Sequence, residues 1–186
     1  MKSSIKVPIR YLPKRLTKSD RSKQSKNLLK SRKLYKKGIY FTRPQVKSFH
    51  SKQSSHITDA QRMYGVEKVA PTAELSKATG CSIDALKKIV SKGEGAYFSS
   101  GSRPNQTAQS WGYARLGSSI TSGKAAVIDY SILEEGCKPG SKALTMAKRA
   151  VKKYGVKKDE TKSKNSKKNK KNSKTKKTRK APKTFI

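Results

Sequence analysis

The sequence predicts a small α+β domain, mostly helical with a few short strands, over residues 38–156. A basic N-terminal arm and helix (1–37) precede it and a Lys-rich tail (157–186) follows. Three observations predict this. Apolar residues make up only 32% of the 186-residue chain, too few for one large core. Capping residues and glycines divide the middle into helix-length pieces. Between those pieces lie short apolar runs of strand length. The charge shifts at the same boundaries: the chain holds 46 Lys and Arg against 11 Asp and Glu, and residues 1–56, 57–156 and 157–186 carry net charges of +16, +7 and +12.

In chain order, Ile5, Val7 and Ile9 alternate, the period of a short strand or an extended arm, and Pro8 restricts it to an edge. Asp20 to Tyr35 reads as a basic helix stopped by Gly38, either solvated or lying on a polyanion. Thr58-Asp59 starts a helix that Gly65 ends. Thr72 caps the next, and Gly80 closes it. Ser82 caps a third, with Asp84 in its first turn and Ile83, Leu86, Ile89 and Val90 as its apolar stripe, up to Gly93. Ala96-Tyr97-Phe98 reads as a strand, followed by a turn-rich loop to Asn105. A helix from Thr107 or Ala108 carries Gly112, Ala114, Gly117 and Ser118, small enough for another backbone to approach. Ala125 to Leu133 reads as a buried strand. A last helix runs from about Ser141 to Tyr154.

The same residues bound the function. The longest aliphatic run, Ala125-Ala126-Val127-Ile128, is far short of the roughly 20 residues of a membrane span. The basic start Met1-Lys2-Ser3-Ser4-Ile5-Lys6 is not a secretory signal. Two cysteines, Cys81 and Cys137, are too few for a disulfide framework or a cysteine-rich zinc site. His50 and His56 have no carboxylate or cysteine cluster beside them, so neither metal nor cofactor is expected. A charge of +35 points to a polyanionic partner.

Residues 72–92 have helix-turn-helix spacing, with Lys87 and Lys88 placed to face a phosphate backbone. Ile83, Asp84 and Ala85 at the front of the second helix are not residues that read base edges, and a plain structural hairpin is the preferred reading. The Ser99–Arg103 loop, ahead of a helix N-terminus, is an anion-site candidate through Arg103; the alternative is a tight loop with Arg103 paired to a carboxylate such as Asp129. Arg103, Arg115 and Lys124 are the candidate partners of Asp129. Gly38-Ile39-Tyr40-Phe41-Thr42-Arg43-Pro44-Gln45 faintly echoes Gly95-Ala96-Tyr97-Phe98-Ser99 with Arg103-Pro104-Asn105-Gln106, a match that chance or strand pairing explains. The expected polyanion-binding residues are Lys87, Lys88, Arg103 and Arg115, with Lys167, Lys168, Lys170, Lys171, Lys176, Lys177, Arg179 and Lys180 in the tail.

The runs 95–107 (Gly-Ala-Tyr-Phe-Ser-Ser-Gly-Ser-Arg-Pro-Asn-Gln-Thr), 110–116 (Ser-Trp-Gly-Tyr-Ala-Arg-Leu) and 122–130 (Ser-Gly-Lys-Ala-Ala-Val-Ile-Asp-Tyr) resemble an uncharacterised domain of nucleocytoplasmic large DNA viruses of algae and protists. The start Tyr11-Leu12-Pro13-Lys14-Arg15-Leu16 is similar too, and the resemblance spans about residues 11–150. It implies a viral origin and carries no activity with it. Joined to the charge layout, it leads to the expectation of a non-enzymatic virion structural protein, a minor capsid or internal basic protein. Its partners would be capsid proteins, viral DNA or an anionic membrane surface, with no small-molecule substrate. The alternatives are a DNA-binding or DNA-condensing protein using 72–92, and a nucleic-acid-modifying enzyme built on Asp129 and Arg103.

Overall fold

The computed structural model describes residues 7–155. Eight α-helices follow a single 3-10 turn at Ile9–Tyr11: α1 (Lys18–Tyr35), α2 (Ser55–Tyr64), α3 (Ala73–Thr79), α4 (Ile83–Ser99), α5 (Ala108–Ile120), α6 (Lys124–Ile128), α7 (Tyr130–Gly136) and α8 (Lys142–Tyr154). Extended pairing among the described residues is limited to one isolated antiparallel bridge, Cys81 with Cys137. The expectation of an α+β fold is therefore corrected: the molecule is a helical bundle. None of its described helices is long and apolar enough to cross a membrane.

The caps form as their sequences dictate. Thr72, Ser82 and Thr107 each accept a hydrogen bond from the backbone N–H three residues on, at Leu75, Ala85 and Ser110, satisfying one of the donors a helix start leaves open. Gly65 and Gly80 end α2 and α3 in the left-handed conformation.

Gly93, read as the end of its helix, serves a different purpose, and the predicted strand at Ala96-Tyr97-Phe98 disappears with that break. α4 runs through Gly93 and Gly95 to Ser99. A Cβ at Gly93 would lie 2.6 Å from the Cα of Gly112 on α5, and one at Gly112 would lie 2.9 Å from the carbonyl oxygen of Val90. A glycine inside a helix costs about 1 kcal/mol against alanine; here it lets two backbones touch. The small residues of α5 meet their expected use: Gly112 faces α4, and Gly117 faces the backbone of His56 at the start of α2.

The predicted strand from Ala125 to Leu133 is also corrected. It forms α6 and α7, broken at Asp129. A short apolar run has no periodicity that separates a buried strand from a buried helix, and Ala126 and Leu133, seven apart, both face the core with no exposure. Ile9, expected in a strand or arm, is 78% exposed at the start of the 3-10 turn.

Leu75, Leu86, Ile89, Leu116, Ile120, Leu133 and Ala147 are fully buried in one core shared by α2 to α8. Each large aliphatic side chain there contributes about 1.5–3 kcal/mol. Tyr64 spans this core and donates its hydroxyl to the Ile120 carbonyl at 2.7 Å; burial pushes its pKa up. Cys81 and Cys137 form a disulfide across 56 residues, a pairing that cysteine number alone did not suggest. Backbone bonds from Ser82 N to Gly136 O and from Lys138 N to Gly80 O, both 2.8 Å, flank it.

α1 lies against α4. Asp20, Gln24, Leu28 and Ser31, three and four residues apart, form its buried face. Gln24 donates to the carbonyls of Tyr11 and Ser102. Asp20 accepts from both the backbone and the hydroxyl of Ser48, at 2.9 and 2.7 Å. Those bonds hold its carboxyl below the usual range. Residues 7–37 are thus packed onto the bundle.

Candidate polyanion-binding surface

The outward face of α1 is the opposite of its buried one. Lys23, Lys26, Lys30 and Lys33 recur three and four residues apart, so they share one side of the helix, and all four are exposed. They span about 15 Å at 1.5 Å per residue. Lys23 lies 4.0 Å from Asp20. Among the described residues, Lys26, Lys30 and Lys33 have no carboxylate within ion-pair distance, and Lys30 rests over the ring of Phe41 at 4.6 Å.

α1 ends in a Schellman motif: Gly38 N–H reaches the Tyr35 carbonyl and Ile39 N–H the Leu34 carbonyl, both at 3.0 Å. Gly38 adopts a φ of +76°, which only glycine takes without cost. The chain reverses, and residues 40–43 fold back over the C-terminal ends of α1 and α4. Tyr40 meets Phe98 at 5.1 Å and Tyr35 at 5.9 Å, edge to face in both cases. The faint echo between 38–45 and 95–106 thus corresponds to real proximity, though neither segment is a strand.

Arg43 is the centre of that proximity. It is 7% exposed and its guanidinium lies 3.6 Å from the centroid of Tyr97. It donates to the Tyr97 carbonyl at 3.0 Å, to Ser31 Oγ at 3.1 Å and to Ser102 Oγ at 2.7 Å. No carboxylate is among these partners. The Tyr97 carbonyl belongs to the last turn of α4, the negative end of its dipole, where a cation is favoured. Arg32 reaches the same end, donating to Ser100 O at 2.7 Å. Desolvation lowers the pKa of Arg43 from its usual value.

Asp129 shows the opposite arrangement. It is fully buried. Oδ1 accepts from Arg115 at 2.6 Å and faces Lys92 at 3.1 Å; Oδ2 accepts from Arg115 and from Ser119, both at 2.8 Å. Four donors fill the roughly four lone-pair positions of a carboxylate. Lys92 also donates to the Ile128 carbonyl. The cluster ties α4, α5 and the α6–α7 junction together and leaves no open carboxylate for acid–base work.

The expected sites fall as follows. Lys87 and Lys88 are exposed on α4, and Lys88 lines a shallow depression of 290 Å³ with Asp84 and Glu135. Arg103 is exposed and apart from Asp129, whose partners are Arg115, Ser119 and Lys92. The Ser99–Arg103 loop is structural in its details: Ser102 is engaged by Arg43, and a Cβ at Gly101 would meet Leu28 at 2.6 Å. Arg115 is bound bidentately to Asp129, its side chain 17% exposed. Lys167, Lys168, Lys170, Lys171, Lys176, Lys177, Arg179 and Lys180 lie outside the described residues. The α1 lysines were missed as individual sites, although their three-and-four spacing is visible in the sequence.

A family model matches residues 8–135, described as a family of unknown function (DUF5824). The chain belongs to that family. The DUF5824 stretch runs from the 3-10 turn to Glu135 in α7, and so contains the lysine face of α1, Arg43 and the Asp129 cluster. No curated protein and no solved structure matches the chain.

Proposed function

We propose that this chain is a basic structural protein of a large DNA virus particle, one that holds packaged nucleic acid. A single observation carries the nucleic-acid part. Residues 7–155 contain 30 Lys and Arg against 9 Asp and Glu, yet their ion pairs engage only Asp20, Asp59 and Asp129. Lys26, Lys30 and Lys33 of the α1 face stand in a row without carboxylates, an arrangement that repels itself until a polyanion neutralises it. The viral part rests on the resemblance of the 95–130 segment, and acidic capsid surfaces are the competing partner.

The helix-turn-helix reading finds less support. Ala85 in the first turn of α4 is buried, and the backbone of Gly136 packs directly on it. That turn is the part of a recognition helix that would enter a major groove.

Duplex binding measured against salt tests the proposal. Each phosphate neutralised contributes about −0.9 to the slope of log K against log salt. Lys26→Glu/Lys30→Glu/Lys33→Glu should reduce that slope by about 3, with the helix still folded. An unchanged slope removes α1 from the interface. Absence of the chain from purified virus particles by mass spectrometry refutes the virion assignment.

A further inference from the structure

The C-terminal end of α1 carries an exposed aromatic ring inside the basic surface. Tyr40 is 69% exposed and the adjoining Ile39 51%. The Schellman turn fixes the backbone that presents Tyr40, and edge contacts to Tyr35 and Phe98 hold the ring itself. Tyr35 and Phe98 stack parallel behind it, 6.2 Å apart with their planes inclined by 8°. With more than two-thirds of its surface in solvent, the Tyr40 ring is accessible to a stacking partner. Lys36 and Lys37, both exposed, flank the turn, and the lysine row of α1 leads to it.

A rigid, open aromatic ring among unpaired cations suits an unpaired nucleotide, whose base stacks while its phosphates meet ammonium groups. A duplex offers the cations its phosphates but keeps its bases stacked on one another. We infer that this surface binds single-stranded nucleic acid, with a base stacked on Tyr40 and the flanking phosphates on Lys33, Lys36 and Lys37. The inference rests on the nucleic-acid reading above and adds the form of the ligand.

The test uses the full chain at about 0.15 M salt. Binding of a fluorescein-labelled oligothymidylate, and of a duplex of equal length, is measured by anisotropy for the native protein, Tyr40→Ala and Tyr40→Phe. Tyr40→Ala should weaken single-strand binding by between about fivefold and a hundredfold, the loss of one aromatic–base stack. It should leave duplex binding within about twofold, because phosphate contacts are indifferent to the ring. Tyr40→Phe should bind like the native protein. Irradiating a 5-iodouracil oligonucleotide on the native chain should place the crosslink on Tyr40, which tests the stack without any variant. An equal loss on both ligands, no loss on either, or a crosslink elsewhere overturns the stacking site while leaving general polyanion binding in place. Failure of both nucleic acids to bind refutes the wider reading as well. Tyr40-dependent binding to phosphatidylserine vesicles, without such dependence on the single strand, assigns the surface to a membrane and also overturns the proposal.

Discussion

Arg115 and Arg43 are both withdrawn from water in a protein with few acids, and they are stabilised in opposite ways. Arg115 takes a buried carboxylate, Asp129, in a two-point grip reinforced by Lys92 and Ser119. Arg43 takes none: carbonyl and hydroxyl oxygens and the face of Tyr97 surround it. The contrast shows that a strongly basic chain need not spend a carboxylate on every buried cation. The C-terminal end of a helix supplies partial negative charge from the backbone itself. It also implies different failures. Damage to the first site leaves ions unpaired, whereas damage to the second leaves neutral dipoles.

Breaking the ion cluster should have the largest effect. Asp129→Ala strands Arg115 and Lys92 beside a vacated site and should destabilise the fold by about 3–5 kcal/mol, the usual consequence of removing one partner of a buried pair. Urea unfolding followed by circular dichroism measures it. Arg43→Met should cost less, about 1–3 kcal/mol, since Tyr97 O, Ser31 and Ser102 lose a donor but no charge is left exposed to a low dielectric. If Arg43→Met proves as damaging as Asp129→Ala, the comparison fails.

The double substitution Arg115→Met/Asp129→Leu sharpens the contrast. With both charges replaced by apolar groups, the stability should return to within about 2 kcal/mol of the native protein. Lys92, whose side chain is 43% exposed, is free to turn to water. Equal losses in the double variant and in Asp129→Ala would mean that the geometry of the grip matters more than the unpaired ions.

The smallest effect belongs to Asp20, a third charge held by neutral donors. Its folded pKa lies below the ordinary 3.8 because Ser48 bonds favour the carboxylate. The stabilisation is therefore complete above that ordinary value and is lost as the pH falls through the lower, folded one. The melting-temperature difference between the native protein and Asp20→Asn should be constant near neutrality and shrink toward zero in strong acid. A difference that grows on acidification would contradict the assigned bonds.

Local signals were the legible ones. Thr72, Ser82 and Thr107 cap helices through bonds three residues away, and Gly65 and Gly80 end them within the same turn, so a short window of sequence contains the whole cause. Gly93 misleads because its reason is remote: the notch there has meaning only opposite Gly112, nineteen positions along the chain. The need of Asp129 for a cation was legible from its apolar surroundings, and Arg115 was among its expected partners; Lys92 was not, because its approach depends on α4 packing against α7, a contact between elements remote in sequence. Arg43, followed by a proline, carries no local sign of burial. Its burial follows from the Gly38 reversal together with the uninterrupted α4, and only the echo between 38–45 and 95–106 hinted that the two segments belong together.

The crossing at Cys81 and Cys137 has a mechanical meaning as well. The bond joins the turn before α4 to the turn before α8, so α4 to α7 lie inside a covalent ring, with α1 to α3 on one side of it and α8 on the other. Tension applied between the two ends of the chain passes straight through the sulfur bridge and bypasses the ring. Of the length the chain would release when stretched, about 190 Å stays locked away at 3.3–3.6 Å per residue, and the helices carrying the Asp129 cluster bear none of the pull. A protein anchored at one end and loaded at the other would shed α8 and α1 to α3 while keeping that ring whole.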